Sequence, residues 1–339
     1  MNLSELQATA AAMVAPGRGI LAADESFPTI AKRFKSIGVE SSEDHRRAYR
    51  EMLFTTKGMG EFISGVILFD ETLRQSTADG VAFVEVLKRE GVIPGIKVDA
   101  GAKALAAFPG EKVTEGLDGL RDRLAEYRSL GARFAKWRAV IAIGDGIPTD
   151  FCIEANAHAL ARYAALCQEA DIVPIVEPEV LMDGDHTIER CETVTGKTLD
   201  AVYTVLRAHR VELSGTILKP NMVLSGKSCP VQAGVQEVAE ATVRCLTAHV
   251  PAEVPGIAFL SGGQSSELAT AHLNAMNALG QHPWELSFSY GRALQEAALK
   301  AWGGDPANVA AAQRAFYHRA RCNSAARTGR YSEEMERAA

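Results

Sequence analysis

Lys219 stands in the run GTILKPNMV (residues 215–223), between Leu218 and Pro220, at the end of what reads as a buried strand. An ammonium is costly to bury there. A lysine desolvated among other cations loses its proton more readily, and the neutral amine is then a nucleophile for a carbonyl. The chemistry suggested is imine formation. Lys136 supplies a second cation, and Glu177 a carboxyl able to give and take protons while a carbinolamine forms and dehydrates. Asp24 can hold or deprotonate a hydroxyl of the bound molecule. Ser261 precedes Gly262 and Gly263, whose backbone N–H groups can approach an anion closely. Arg292, after Gly291, adds a planar fork for phosphate.

These residues fall at the ends of short apolar runs. The runs are 19–24, 63–69, 93–99, 132–141, 171–180, 215–223, 256–263 and 285–291, eight in all. Near-continuous apolar runs separated by helix-like segments suit parallel strands covered on both faces. The segment 118–131 carries Leu120, Leu124, Tyr127 and Leu130 at helical spacing, and 235–250 carries Val235, Val238, Ala239, Thr242 and Leu246. The pattern predicts an α/β fold, one (β/α)₈ TIM barrel over residues 1–339, with a short N-terminal helix and a short C-terminal tail. An open doubly wound sheet is the alternative, but no G-x-G-x-x-G follows the first run. A barrel places its active site at the C-terminal ends of the strands, so the polar run ends form one converging set. Residues two apart on a strand share a face, which pairs Lys97 with Asp99, Lys136 with Arg138 and Glu177 with Glu179.

Net charge of −6 with scattered basic residues argues against nucleic acid as a partner. No segment is long and apolar enough to span a membrane. Six cysteines without a C-x-x-C read as free thiols of a cytoplasmic protein. A small anionic ligand remains compatible with this balance, because a few focused cations can hold it.

The stretches GRGILAADES, GIKVDAG, FAKWRAV, PIVEPEVL, DGDHTIERC, TILKPNMV, FLSGGQS and SFSYGRALQ together resemble class I fructose-1,6-bisphosphate aldolases, the metal-independent, Schiff-base type. They run in the family's order from about Gly17 to Tyr331. The resemblance implies a lyase without cofactor or metal that reversibly cleaves fructose 1,6-bisphosphate to dihydroxyacetone phosphate and glyceraldehyde 3-phosphate. It implies Lys219 as the Schiff-base lysine, Glu177 as general acid and base, and Lys136 as the lysine beside the nucleophile. Asp24 matches the aspartate near the C4 hydroxyl, and Arg138 lines the same site. Ser261, Gly262, Gly263 and Arg292 match the C1-phosphate site, while Lys97, Ser26 and Thr29 lie where the family holds the far phosphate. A homotetramer is implied as well. Competing readings are a Schiff-base barrel lyase on another phosphorylated sugar, such as a transaldolase or an enzyme for sedoheptulose bisphosphate, and a non-catalytic scaffold. Two phosphate sites, with the lysine and acid intact, favour the bisphosphate enzyme.

Two departures from animal members stand out. Phe27 and Pro28 follow Ser26 where Thr-Gly is usual, which predicts a stiffer phosphate loop lacking one N–H. The chain also ends in RYSEEMERAA, without a terminal tyrosine. LSGGQ (260–264) resembles an ATPase signature, but Gly196-Lys197-Thr198 and Gly226-Lys227-Ser228 have Cys191 and Asn221 where a P-loop needs glycine. Asp183, Asp185, His186 and Glu189 resemble metal ligands, yet a hydrogen-bonded loop and helix cap is the favoured reading. Trp137 is expected to point away from Lys136, against a helix.

Overall fold

Continuous apolar runs need cover on both faces, and the chain supplies it by closing its strands on themselves. The computed structural model describes residues 1–338. Its strands are β1 (Gly19–Ala23), β2 (Ile63–Leu68), β3 (Ile93–Lys97), β4 (Ala102–Ala104), β5 (Lys112–Thr114), β6 (Phe134–Ile141), β7 (Val173–Val180), β8 (Ile217–Leu218), β9 (Gly256–Phe259) and β10 (Glu285–Tyr290). Eight of them form a closed barrel in the order β1-β10-β9-β8-β7-β6-β3-β2. Every barrel pairing is parallel. All eight expected runs therefore contribute a strand. The 215–223 run contributes only Ile217 and Leu218, but the Lys219 N–H still donates to Val176 O at 2.8 Å, continuing the ladder. The antiparallel hairpin β4–β5 was not legible in the sequence.

Alternation along the strands creates two apolar layers. Outward residues pack beneath the helices, as Trp137 does against Tyr163 of the helix Asp150–Glu169, with ring centroids 5.6 Å apart. Inward residues, among them Ile20, Ile67, Phe134, Val173, Ile175 and Ile217, form a separate cluster. The helix Leu3–Met13 joins this inner cluster through Leu6, Ala10 and Met13, so it plugs the N-terminal end of the barrel. Phe134 fills the interior because β2 and β3 present glycine to it. A Cβ on Gly95 would fall 2.2 Å from its ring, and one on Gly65 2.9 Å. With that end closed, the barrel opens at the opposite mouth.

Several helices begin at a hydroxyl cap. Thr149 accepts from the Cys152 N–H, and Thr187 accepts from the Arg190 N–H. The second cap is the helix cap expected within residues 183–190. In the helix Leu120–Ser129 the expected stripe is buried except for Leu130, which lies at the C-cap and is partly exposed. In Val235–His249, Val235 sits at the first position and is exposed, whereas Val238, Ala239, Thr242 and Leu246 are buried.

Candidate active site

The C-terminal ends of the barrel strands surround a cavity of about 710 Å³. Asp24, Ser26, Thr29, Lys97, Lys136, Arg138, Glu177, Glu179, Lys219, Ser261, Gly262, Gly263, Gly291 and Arg292 all line it. They arrive from separate strands, and only barrel closure brings them together.

Glu177, Lys136 and Lys219 form the centre. β6 and β7 are in register with Lys136 opposite Ile175 and Arg138 opposite Glu177. Glu177 Oε1 lies 3.4 Å from Lys219 Nζ, and Oε2 lies 3.5 Å from Lys136 Nζ. All three side chains are about 5% exposed or less. Lys136 Nζ also lies 2.7 Å from Asp24 Oδ2. Burial alone would raise the Asp24 pKa, but Lys136, Lys219 and Lys97 overcome it and hold the carboxyl at about 2. Burial likewise works against the Lys136 charge, but Asp24, Glu177 and Asp99 outweigh it and raise its pKa. Lys136 is thus a fixed ammonium and Asp24 a fixed carboxylate. Beside this centre, Arg138 Nε donates to Glu179 Oε2 at 2.5 Å.

Two donor-rich ends flank the centre. At one, Gly262 and Gly263 have φ of +56° and +84°, a turn that a side chain would strain. Arg292 opens the helix Arg292–Trp302 and reaches back, its Nη2 donating to Gln264 O at 2.7 Å. At the other end, Lys97 Nζ contacts Asp99 Oδ1 at 2.8 Å, and Ser26 Oγ lies 3.2 Å from Thr29 Oγ1. The segment after Ser26 is the first turn of a helix, Phe27–Lys35, rather than a loop. Pro28 there gives up an N–H that the helix itself does not use, so its rigidity belongs to the helix start.

Arg33, Lys103 and Lys227 also line the cavity and were missed by the sequence reading. Arg33 follows Ser26 and Thr29 by seven and four residues, one helical face, so its spacing did carry a signal. Its Nη1 pairs with Glu25, which also accepts from Arg50 Nη2 at 2.8 Å. Lys103 sits on the unforeseen hairpin. Altogether eight Lys or Arg side chains face six Asp or Glu, a positive surplus in an otherwise acidic chain. Such a mouth focuses its field on a small anion.

Asp183, Asp185, His186 and Glu189 do not converge. Among the described residues, His318, Cys322 and Glu336 are the one group of such ligand atoms lying within 4.8 Å of one another. Both Glu336 oxygens there are taken by Arg319, at 2.7 Å each. No described helix is long and apolar enough to cross a membrane.

The sequence profile described as "Fructose-bisphosphate aldolase class-I" matches residues 5–339. A protein of Xanthomonas campestris named probable fructose-bisphosphate aldolase class 1 is 61% identical over 332 residues, covering 98% of this chain and 99% of its own. A cytosolic fructose-bisphosphate aldolase of Arabidopsis thaliana is 56% identical over 333 residues, covering 98% of this chain and 85% of its own. Among solved structures, the Plasmodium falciparum fructose-bisphosphate aldolase in a ternary complex with TRAP and a small-molecule inhibitor superposes with a TM-score of 0.96. It is 51% identical, and the match covers 97% of this chain and 95% of that one. A closed parallel barrel, a buried lysine pair bridged by a carboxylate and full-length similarity of this extent agree: the chain belongs to the class I fructose-bisphosphate aldolase family.

Proposed function

We infer that this chain cleaves fructose 1,6-bisphosphate reversibly to dihydroxyacetone phosphate and glyceraldehyde 3-phosphate through an imine on Lys219. The observation that carries the reading is Glu177, buried between Lys219 Nζ at 3.4 Å and Lys136 Nζ at 3.5 Å. Lys219 Nζ adds to the substrate C2 carbonyl. Glu177 protonates the carbinolamine oxygen, water leaves, and the iminium forms. Asp24, ionised and beside Lys136, accepts a hydrogen bond from the C4 hydroxyl, whose proton passes to the Glu177 carboxylate left by the dehydration. The C3–C4 electron pair then flows into the iminium, releasing glyceraldehyde 3-phosphate as the aldehyde. Glu177 returns that proton to C3 of the enamine, and water, activated by the Glu177 carboxylate so formed, hydrolyses the imine to free dihydroxyacetone phosphate and regenerate the lysine. Lys136 contributes fixed positive charge that keeps Glu177 and Asp24 oriented at the reacting centre.

The phosphates sit at the two ends of the cavity. The C1 phosphate meets Ser261, Gly262, Gly263, Gly291 and Arg292, and the far phosphate meets Ser26, Thr29 and Lys97. Resemblance to relatives named cytosolic supports a cytoplasmic location, and family resemblance supports a homotetramer, which sedimentation would test. Borohydride reduction in the presence of dihydroxyacetone phosphate tests the chemistry. The added mass is expected on the peptide containing ILKPNM at Lys219. Labelling of Lys136 or Lys97 with Lys219 untouched would overturn the assignment.

A further inference from the structure

Lys227 belongs to the Gly-Lys-Ser piece that is not a P-loop, and no step of the proposed reaction uses it. Its backbone is nonetheless held firmly. After β8 the chain returns alongside the loop that follows β7. Gly226 N–H donates to His186 O at 2.8 Å, Lys227 N–H to Met182 O at 2.8 Å, and Ser228 N–H to Gly184 O at 2.9 Å. The approach is close enough that a Cβ on Gly226 would fall 2.4 Å from Gly184 O. This zipper gives the DGDH segment a role: it fixes the Lys227 Cα at the cavity rim.

From there the side chain runs into the cavity. A Cβ on Gly263 would lie 3.1 Å from Lys227 Nζ, so the ammonium rests against the open side of the Ser261–Gly263 turn. Its carboxylate contact is Asp183 Oδ1 at 3.4 Å, with the two side chains 50% and 70% exposed. An exposed pair of that length is weak and competes poorly with a phosphate dianion.

We infer that Lys227 is a further substrate-contacting residue, one that closes over the C1 phosphate from the Gly263 side of the turn while Asp183 holds it when the site is empty. The inference rests on the aldol reading above, which places the C1 phosphate on that turn. Dihydroxyacetone phosphate carries the C1 phosphate and glyceraldehyde 3-phosphate does not, so the condensation direction separates the two ends. In Lys227→Met the KM for dihydroxyacetone phosphate should rise about fivefold, the scale of one solvent-exposed charge contact. The KM for glyceraldehyde 3-phosphate should stay put, the change should fall on KM rather than kcat, and Lys227→Arg should restore most of the loss. An unchanged KM for dihydroxyacetone phosphate in Lys227→Met, or a shift confined to glyceraldehyde 3-phosphate, overturns the assignment. Borohydride trapping on the unaltered enzyme keeps the two levels apart. Trapping at Lys219 with an unmoved KM in the variant refutes only Lys227, whereas no trapping at Lys219 refutes the reading beneath it as well.

Discussion

Glu177 and Glu179 occupy one face of one strand, yet their surroundings give them different work. Glu177 bridges the two buried lysines, while Glu179 is held by Arg138 at the edge of the site. Glu177→Gln should slow imine formation and hydrolysis about 100-fold, the usual scale for a lost general acid and base. Glu179→Gln should cost clearly less in single-turnover trapping, because it loses only the partner of a half-exposed arginine; an equal or reversed order would mean the roles are exchanged. Asp24 allows a pH test. Its carboxyl is held at about 2 against an ordinary value of 3.8, burial being outweighed by the lysines around it. A depressed carboxylate stabilises the fold above its unfolded pKa and loses that contribution as pH falls through the folded one. The thermal-stability gap between the unaltered protein and Asp24→Asn is therefore expected to be flat above about pH 4 and to narrow towards pH 2. A gap that narrows between pH 5 and 7 instead would show that Lys136 does not hold Asp24 charged.

Strands β2, β3 and β6 show how elements share the work of packing and chemistry. Phe134, at the start of β6, lies where Gly65 of β2 and Gly95 of β3 leave room, while Lys97 ends β3 and Lys136 and Arg138 follow Phe134 along β6 towards the cavity. Gly95→Ala forces a methyl into the Phe134 ring and should cost about 1–3 kcal/mol in urea unfolding, the range for overpacking a dense core. Phe134→Leu in the same chain should return part of that loss, a coupling absent if the strain lies elsewhere. At the other end of β3, Lys97 already donates to the Asp99 carbonyl at 2.7 Å, so its ammonium is positioned before substrate arrives. Lys97→Ala is expected to lower kcat/KM for fructose 1,6-bisphosphate by about 2 kcal/mol in transition-state terms, a charge-assisted hydrogen bond's worth. Fructose 1-phosphate, lacking the far phosphate, should be little affected. Equal losses on both substrates would place Lys97 in the chemistry or the fold instead.

The whole molecule is closed at its base by contacts between the two ends of the chain. Arg327, just past the helix Val309–Ala326, donates to Arg18 O at 2.9 Å, Val14 O at 2.6 Å, Ala15 O at 2.9 Å and Leu286 O at 2.5 Å. One buried guanidinium thus ties the exit of the N-terminal plug, the entry to β1, and β10 together. Arg327→Met strands those carbonyls away from water and should destabilise by about 3 kcal/mol or more, as broken buried networks do. Below the unfolding transition its kcat should be close to that of the unaltered enzyme, because the active mouth lies at the opposite end of the barrel. A large loss of kcat with unchanged stability would contradict that separation.

The sequence by itself determined the eight strands, because parallel strands buried on both faces must be apolar throughout, a local signal. It also determined the charged residues at their ends, since a charge ending such a run is conspicuous, and the resemblance to aldolases then gave each a role. It did not determine that β8 would be two residues long, or that the 102–114 segment would form a hairpin carrying Lys103 to the cavity. The N-terminal helix was legible as a helix, but its place as the barrel's plug depends on Leu6, Ala10 and Met13 clustering with residues as distant in sequence as Ile217 and Ala258. Lys227 gave no signal either. Its neighbours in sequence are ordinary loop residues, and its place at the Gly263 turn is set by backbone hydrogen bonds to Met182, Gly184 and His186. Burial and periodicity act between near neighbours and leave their mark in composition. Convergence at a cavity is decided by ring closure and loop-to-loop contacts between distant segments, which only the tertiary structure supplies.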